Sequence, residues 1–203
     1  MPRLVNPAPI IEWSTDKRYL AELPHAVPTT FWEAGAPPGG LPAAQKWIVK
    51  PTVSAGAADT YATTEPAAAV EKIHALGKTA MVQPYLDGID ERGETALLYF
   101  AGEHSHAVRK AAVLTSPRGA DGRYPVNQLT AREPTPDERR VADEVLAAAP
   151  GGWTYARVDL VPGDDGQPLL LELELAEPSL FLGYDERAAR RFADALVAAT
   201  LAG

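Results

Sequence analysis

The sequence predicts an α+β fold, because two β-hairpins alternate with capped helices along the chain. Residues 94–111 and 155–175 each consist of two extended, apolar-rich segments around a short turn signal. A helix over 136–149 is predicted by its start, where Thr135 and Glu138 form a capping box with proline at the first helical position. Hairpins and helices in this order favour antiparallel sheets with helices packed on them.

The remaining elements are predicted from cap residues, glycine stops and apolar patterning. They are a helix near 16–23 capped by Ser14 or Thr15, extended segments at 46–50 and 81–86, a helix over 65–76 capped by Thr64 and stopped by Gly77, and a C-terminal helix near 185–201. Segments rich in proline and glycine at 34–42 and 116–125 divide the chain into three parts, but both are too short to tether independent domains.

Composition excludes several classes of function. The 203 residues carry a net charge of −8, which argues against duplex DNA binding because phosphate contacts need clustered cations. The chain has no cysteine, so disulfides, thiol catalysis and Cys-ligated metal sites are excluded. No apolar run has the length of a membrane span or a secretory signal. We therefore expect a cytoplasmic protein with neither a nucleic acid nor a membrane as its partner.

The second hairpin has the strongest chemical signal. If residues 165–166 form a two-residue type I′ turn, Asp159 lies opposite Glu172 and Arg157 opposite Glu174, all on one face. One arginine does not neutralise three carboxylates, so this face needs a cation or a strongly shifted pKa. Magnesium, which prefers oxygen ligands and substrate phosphates, meets that need. The alternative is a solvated face with one salt bridge.

The other face of the same strand is apolar. Leu171, Leu173 and Leu175 alternate with the glutamates and are expected to face the core.

Candidates for phosphate binding lie elsewhere in the chain. Lys17 begins a predicted helix, and Lys50 precedes a loop of small residues at 54–57. Small residues let backbone N–H groups approach phosphate oxygens, although this loop matches no standard nucleotide motif.

In combination, these segments resemble the ATP-grasp carboxylate–amine ligases, and among them the glutathione-synthetase-like branch that contains the D-cycloserine-forming ligase. The matching segments occur in the family's order over almost the whole chain. They are STDKRYL at 14–20, WIVKP at 47–51, SAGAADT at 54–60, MVQPYL at 81–86, GETALLYFAGEHSHAVRK at 93–110, YARVDL at 155–160 and ELELAEPSLFL at 172–182.

The resemblance implies an ATP-grasp fold in which two subdomains with antiparallel sheets enclose the nucleotide. We expect a single domain over 1–203, with a small ATP-binding subdomain at about 14–85 and a core subdomain at about 86–203. The family normally has a further N-terminal domain before the first matching segment, where this chain has only 13 residues. Self-association or a partner chain is expected to cover the surface that this domain would occupy.

The resemblance also implies roles for individual residues. These are Lys17 and Lys50 for the ATP phosphates, Ser54, Ala55 and Gly56 for the loop that closes over them, Gln83, Tyr85 and Leu86 for adenine, Glu94 for ribose, and Asp159, Glu172 and Glu174 for magnesium. The family often has asparagine where Glu174 stands, so this metal site is more acidic than is usual.

Arg109 is assigned the catalytic role by the same resemblance. A type II′ turn at 102–103 would place it opposite Ala96 and on the same face as Glu94, with His104 and His106 pointing the other way. An arginine near the reacting carboxylate stabilises developing negative charge. A salt bridge with a neighbouring acid is an equal alternative for Arg109, and the histidines are expected to be ordinary surface or core residues.

The implied reaction transfers the γ-phosphoryl group of ATP to a small carboxylate, which an amine then attacks to give an amide. The substrate, and the choice between joining two molecules and closing a ring, stay open. A nucleotide-binding partner subunit without ligase activity is one alternative, and a small-molecule kinase is another. The region 112–134 is expected either to order over the substrate or to be a plain exposed loop.

Overall fold

Two antiparallel sheets form the framework of the protein, in a computed structural model that describes residues 4–36, 39–111 and 128–201. The helices and strands are α1 (Ala8–Thr15), a 3₁₀ helix (Lys17–Ala21), β1 (Thr30–Trp32), β2 (Trp47–Pro51), β3 (Tyr61–Thr63), α2 (Pro66–Ala75), β4 (Ala80–Pro84), α3 (Gly88–Arg92), β5 (Glu94–Phe100), β6 (Glu103–Lys110), β7 (Leu129–Arg132), α4 (Pro136–Ala148), β8 (Tyr155–Pro162), β9 (Pro168–Glu174), a second 3₁₀ helix (Leu182–Tyr184) and α5 (Ala188–Leu201).

The smaller sheet has the strand order β1-β4-β2-β3 and is covered by a helix on one face. Side chains alternate along β2, so Val49 packs with Ile73 of α2 in an apolar cluster. Ile48 and Lys50 point the other way and line a cavity. This sheet therefore offers one face to its own core and one to a ligand-sized space.

The larger sheet has the order β7-β6-β5-β8-β9 and contributes to the main core. One face packs against α1 and α4, where Leu97 and Leu173 join Val145 of α4 in the largest apolar cluster. The other face is covered in part by α5, since Leu98 and Ala195 belong to one cluster. The rest of that face lines the cavity and carries the carboxylates of the second hairpin.

The longer helices are confirmed, with changes at their ends. The capping box of α4 is present, because the Thr135 hydroxyl accepts from the Glu138 N–H and the Glu138 carboxylate accepts from the Thr135 N–H. Gly77 follows α2 with a φ of 69°, as a helix stop requires. The predicted Thr64 cap is wrong: Glu65 holds that position and makes no side-chain cap hydrogen bond.

The N-terminal segment differs from the prediction. The helix expected near 16–23 is a short 3₁₀ helix capped by Asp16, and an α-helix not foreseen in the sequence, α1, precedes it. Ser14 and Thr15 therefore end α1 instead of capping the next helix. The short elements β1, β3, α3 and β7 were also not predicted, because such elements depend on tertiary pairing more than on local propensity.

The first hairpin turns one residue earlier than predicted. Ala101 and Gly102 form its turn, both with positive φ, so that Phe100 pairs with Glu103. A bulge then places Ser105 of β6 between paired residues. Together, the earlier turn and the bulge leave the pairing of β5 with β6 one residue away from the predicted pairing at the end near the cavity.

The consequence falls on the predicted catalytic residue. Arg109 pairs with Thr95, whereas Glu94 pairs with Lys110. The predicted pairing of Arg109 with Ala96 is therefore wrong by one residue. Because a one-residue slip moves a side chain to the other face of the sheet, Arg109 does not share a face with Glu94. Lys110 occupies the face on which Arg109 was expected.

The second hairpin reaches the predicted pairing by another route. Its connection is a five-residue loop, 163–167, closed by a hydrogen bond of 2.8 Å from Gly163 N–H to the Gln167 carbonyl, so the predicted type I′ turn is wrong. A bulge adds one residue to β9 and restores the register. Asp159 pairs with Glu172, as predicted, and the extra residue Leu171 lines the cavity instead of the core.

The other predictions for this region have mixed outcomes. Arg157 pairs with Glu174 as expected, and Leu173 and Leu175 are fully buried. Most of the region 112–134 lies outside the described residues. No described helix is long and apolar enough to cross a membrane.

Asn6 ties the N-terminal segment to the larger sheet. Its amide donates to the carbonyls of Tyr155 and Leu175, at 3.0 and 2.7 Å, and its oxygen accepts from the Thr154 N–H at 2.7 Å. Asn6→Ala would leave these buried backbone groups unpaired, so we expect the free energy of unfolding to fall by about 2–4 kcal/mol. Urea denaturation measures this; Gln167→Ala, at an exposed loop position, is the control and should change stability by less than about 0.5 kcal/mol.

His104 predicts an acid-sensitive contribution to stability. Its ring lies edge-on to Tyr99 at 5.4 Å, and burial lowers the pKa of His104 from 6.5 to about 4. Because the folded-state pKa is below the unfolded value, the stability that this histidine contributes is present above pH 6.5 and is lost as the pH falls towards 4. In denaturation curves, His104→Phe should lose less stability than the parent between these pH values; equal losses would contradict the prediction.

Candidate functional site

A cavity of about 610 Å³ lies between the open faces of the two sheets. Volumes of this size are typical of small-molecule and cofactor sites. The smaller sheet contributes Lys50 and Gln83 to its lining, and the larger sheet contributes Asp159 and Glu172. The cavity therefore brings together residues that are more than 100 positions apart in the sequence.

Lys17 is held in the cavity by the residue two positions after it. The buried hydroxyl of Tyr19 donates to the Leu173 carbonyl at 3.0 Å and accepts from the Leu173 N–H at 2.9 Å, so the 3₁₀ helix is fixed to strand β9. The Lys17 ammonium then lies 3.1 Å from Glu172 and donates to the Ser54 carbonyl at 2.8 Å. Lys17 thus joins the small-residue loop to the carboxylate wall.

Lys50 lies on the opposite wall of the cavity. It is 9% exposed, and its ammonium has no ion pair or hydrogen bond with any residue in the described ranges. Burial lowers the pKa of Lys50, because desolvation disfavours the charged form. A buried cation in this state favours an anionic ligand.

The small-residue loop also lines the cavity. Ser54, Ala55 and Gly56 all lie along it, and Gly56 has a φ of 61°. Ala57 has a φ of 54°, a strained value for a residue with a Cβ atom. The loop thus presents backbone with little side-chain bulk beside two lysines.

Asp159 is the centre of the charged wall. It is 2% exposed, and each of its oxygens accepts from Arg157 at 2.9 Å. Lys110 donates to the same carboxylate at 2.7 Å and contacts Glu94, also at 2.7 Å. Burial would raise the pKa of Asp159, but Arg157 and Lys110 lower it to about 2.

The two glutamates of β9 differ in environment. Glu172 pairs with Lys17 through Oε1, and Glu174 pairs with Arg157 through Oε1. Burial raises the pKa of Glu174 to about 7, against the opposing effect of Arg157. The Oε2 atoms of both glutamates have no hydrogen-bond partner among the described residues, so each has an oxygen available to a ligand.

The three carboxylates have more cationic partners than the sequence pattern indicated. Lys17 and Lys110 also face the acids, so the three carboxylates of this face do not depend on Arg157 alone. Within the described ranges, no three His, Cys, Asp or Glu side chains are grouped closely enough to hold a metal ion. Magnesium is nevertheless commonly held by one or two carboxylates plus substrate phosphates, and Glu172 and Glu174 fit that pattern.

The residues predicted for adenine and ribose are only partly together. Gln83 and Leu86 line the cavity, and the buried Oε1 atom of Gln83 has no hydrogen-bond partner in the described part of the chain. Glu94 also lines it but is paired with Lys110. The Tyr85 side chain is not part of the lining: its hydroxyl donates to Asp90, and its ring lies under Lys46.

Arg109 lies outside the cavity. Its guanidinium donates to the carbonyls of Arg92 and Glu91, at 2.6 and 2.9 Å, on the face of the sheet opposite to Lys110. Of the basic groups that face the acids, Lys17 was among the predicted site residues, whereas Lys110 and Arg157 were not. Arg157 lies on the face that the sequence predicts. Lys110 lies on the opposite face from the one predicted, because the register of the first hairpin differs from the predicted register.

Comparisons with known proteins identify relatives of this fold. No protein-family model matches the chain. The chain is 38% identical to the cycloserine biosynthesis protein DcsG of Streptomyces lavendulae, over 96% of its own length and 72% of that of DcsG. The crystal structure of D-cycloserine synthetase DcsG superimposes with a TM-score of 0.84 and 35% identity, covering 97% of this chain and 73% of that one.

More distant structures share the fold. D-alanine–D-alanine ligase from Bacillus anthracis, complexed with ATP, matches with a TM-score of 0.63 and 15% identity, over 93% of this chain and 66% of that one. The ATP-grasp ligase PsnB, complexed with a precursor peptide and AMPPNP, matches with a TM-score of 0.59 and 20% identity, over 95% and 60%. The α+β architecture predicted from the sequence is confirmed as the ATP-grasp fold, and the chain belongs to the family of ATP-dependent ATP-grasp ligases that includes D-cycloserine synthetase DcsG.

Proposed function

We propose that the cavity binds ATP with magnesium and that the chain uses the nucleotide to condense a carboxylate with an amine of a small, amino-acid-like substrate. One observation carries the proposal: two lysines, a small-residue loop and a row of carboxylates surround one cavity of about 610 Å³. The family of the chain supplies the reaction class, and the placement of these groups supplies their roles. A protein that consumes ATP in this way is expected in the cytoplasm.

We assign the triphosphate to the part of the cavity formed by the two lysines and the loop. Lys50 supplies a buried ammonium without a counter-ion among the described residues, and Lys17 already lies at hydrogen-bond distance from the loop carbonyl of Ser54. Backbone N–H groups of Ala55 and Gly56 are accessible to phosphate oxygens because little side-chain bulk intervenes. Magnesium supplies charge neutralisation for the triphosphate at Glu172 and Glu174.

We assign the base to the apolar part of the lining. Leu86, Ile89 and Leu171 provide an apolar surface there. The Gln83 Oε1 atom, which no described residue pairs with, is an acceptor for an amino group such as that of adenine. Glu94 is left as a candidate ribose partner. It can take that role only by sharing the carboxylate with Lys110.

The condensation needs a positive charge where the carboxylate reacts. Transfer of the γ-phosphoryl group gives an acyl phosphate, and attack by the amine gives a tetrahedral intermediate that loses phosphate. Arg157 lines the cavity beside Ser179 and Phe181 and has fixed donors in a buried setting. We therefore assign stabilisation of the developing negative charge to Arg157 instead of Arg109.

The relationship to D-cycloserine synthetase favours ring closure over the joining of two molecules. D-cycloserine contains an internal amide between a carboxyl carbon and an aminooxy nitrogen. An enzyme that forms such a ring needs one organic substrate, the open-chain aminooxy acid. We propose this substrate class for the chain.

Binding of ATP should depend on magnesium and on Glu172. We expect calorimetry to give an affinity for ATP that is at least about tenfold higher with magnesium than without it, and Glu172→Gln to remove most of that difference. Glu71→Gln, on the exposed side of α2, is the matched control and should leave both affinities unchanged. Equal ATP affinity of the parent with and without magnesium would contradict the proposed site.

The substrate class is tested by measuring ADP release with single compounds and with pairs. We expect ADP release with the open-chain aminooxy acid alone, accompanied by the cyclic amide in the mass spectrum. A strict requirement for two different molecules would exclude ring closure. Accumulation of a stable phosphorylated product without amide would identify a kinase, and nucleotide binding without turnover would identify a non-catalytic partner subunit.

A further inference from the structure

Arg109 has a structural position that its predicted catalytic role does not explain. Arg109 and Lys110 are neighbours on β6, so their side chains lie on opposite faces of the sheet. Lys110 faces the charged cavity wall, whereas Arg109 reaches the last turn of α3. Strand β6 therefore contacts both the charged wall and the short helix that borders the apolar part of the cavity.

The contact of Arg109 is with the C-terminal carbonyls of α3. Its Nε donates to the Arg92 carbonyl at 2.6 Å, and its Nη2 donates to the Glu91 carbonyl at 2.9 Å. Carbonyls at a helix C-terminus have no partner within the helix, and a cation there also interacts favourably with the helix dipole. For a helix of five residues, such an external cap is a large part of what holds it.

The end of α3 is fixed to β6 by a second feature. Gly93, which follows the helix, has a φ of 71°, and its N–H donates to the Ile89 carbonyl at 2.8 Å. A methyl group on Gly93 would lie 2.2 Å from the Lys110 carbonyl oxygen. The close approach and the Arg109 hydrogen bonds fix the C-terminal end of α3 to β6, while Ile89 packs against Val161 of β8.

The position of α3 determines part of the cavity wall. Ile89 of α3 packs with Leu86 just before it, in a small apolar cluster that includes Val27 and Val161. Leu86 and Ile89 both line the cavity, and Glu94 lines it just after the helix. A shift of α3 would therefore move the apolar surface to which we assign the base.

We infer that Arg109 is a positioning residue for nucleotide binding: it caps α3 and thereby holds the cavity wall formed by Leu86 and Ile89. It does not contact the reacting groups. The inference rests on the proposed function, because it requires that the base of ATP binds against this wall. It replaces the catalytic role expected from sequence with one that acts through α3.

The test compares Arg109→Met, which keeps an apolar stem but removes the donors, with Arg109→Lys, which keeps a charge and can donate to one carbonyl. We expect Arg109→Met to weaken ATP binding by about five- to tenfold, measured as Kd and KM, and to change kcat by less than about twofold. Arg109→Lys should recover part of the affinity. Arg190→Met, at an exposed position that forms an ion pair with Asp194, is the matched control and should leave all three quantities unchanged.

Inorganic tripolyphosphate separates the base-side wall from the phosphate site. It carries the phosphates without the base, so Arg109→Met should change its affinity by less than about twofold. A merely structural role would lower the melting temperature while leaving the ATP affinity at the parent value, and this result would overturn the inference. A fall in kcat at unchanged ATP affinity would also overturn it and would restore the catalytic role.

The same measurements distinguish failure of this inference from failure of the proposed function. If the parent chain binds ATP and Arg109→Met binds it equally well, only the positioning role is wrong. If the folded parent chain binds neither ATP nor tripolyphosphate, the proposed site itself is wrong, and the positioning role falls with it. Circular dichroism of each variant shows whether a loss of affinity comes from a folded protein.

Discussion

The buried carboxylate of Asp159 is the constraint on which the rest of the site depends. A buried charge is costly unless it is paired, and Asp159 is paired on both oxygens, by Arg157 on its own strand and by Lys110 two strands away. Lys110 in turn contacts Glu94. Because these contacts join β5, β6 and β8, the charge network fixes the open face of the larger sheet as well as its electrostatics.

Acidic and basic side chains both line the cavity, with the acids in excess by one. The acids are Glu94, Asp159, Glu172, Glu174 and Glu177, and the bases are Lys17, Lys50, Lys110 and Arg157. A triphosphate adds further negative charge to this arrangement, and an accompanying divalent cation offsets part of it. Lys17 and Glu172 are then expected to exchange their mutual contact for the phosphates and the cation, respectively, so the ligand replaces an existing ion pair.

Local patterns predicted the helices and the second hairpin better than they predicted the first. In the second hairpin, a wrong turn and an unforeseen bulge compensate, so the pairing of Asp159 with Glu172 is correct although its basis was not. In the first hairpin, the two shifts do not compensate, and Arg109 was assigned to the wrong face. Pairing that is inferred by counting residues from a turn cannot tell the two hairpins apart. A bulge has only a weak sequence signal, yet each bulge moves the side chains beyond it to the other face of the sheet.

The sequence by itself determined the α+β class, the ordered family segments, the capping box at Thr135, and the alternation that puts Glu172 and Glu174 on one face. These follow from short-range periodicity and from residue chemistry, which the chain carries wherever it folds. Only the tertiary structure decided which cations meet the carboxylates, because Lys17 and Lys110 come from distant segments. It also decided that Arg109 caps a five-residue helix, since neither that helix nor the strand register is fixed by local sequence.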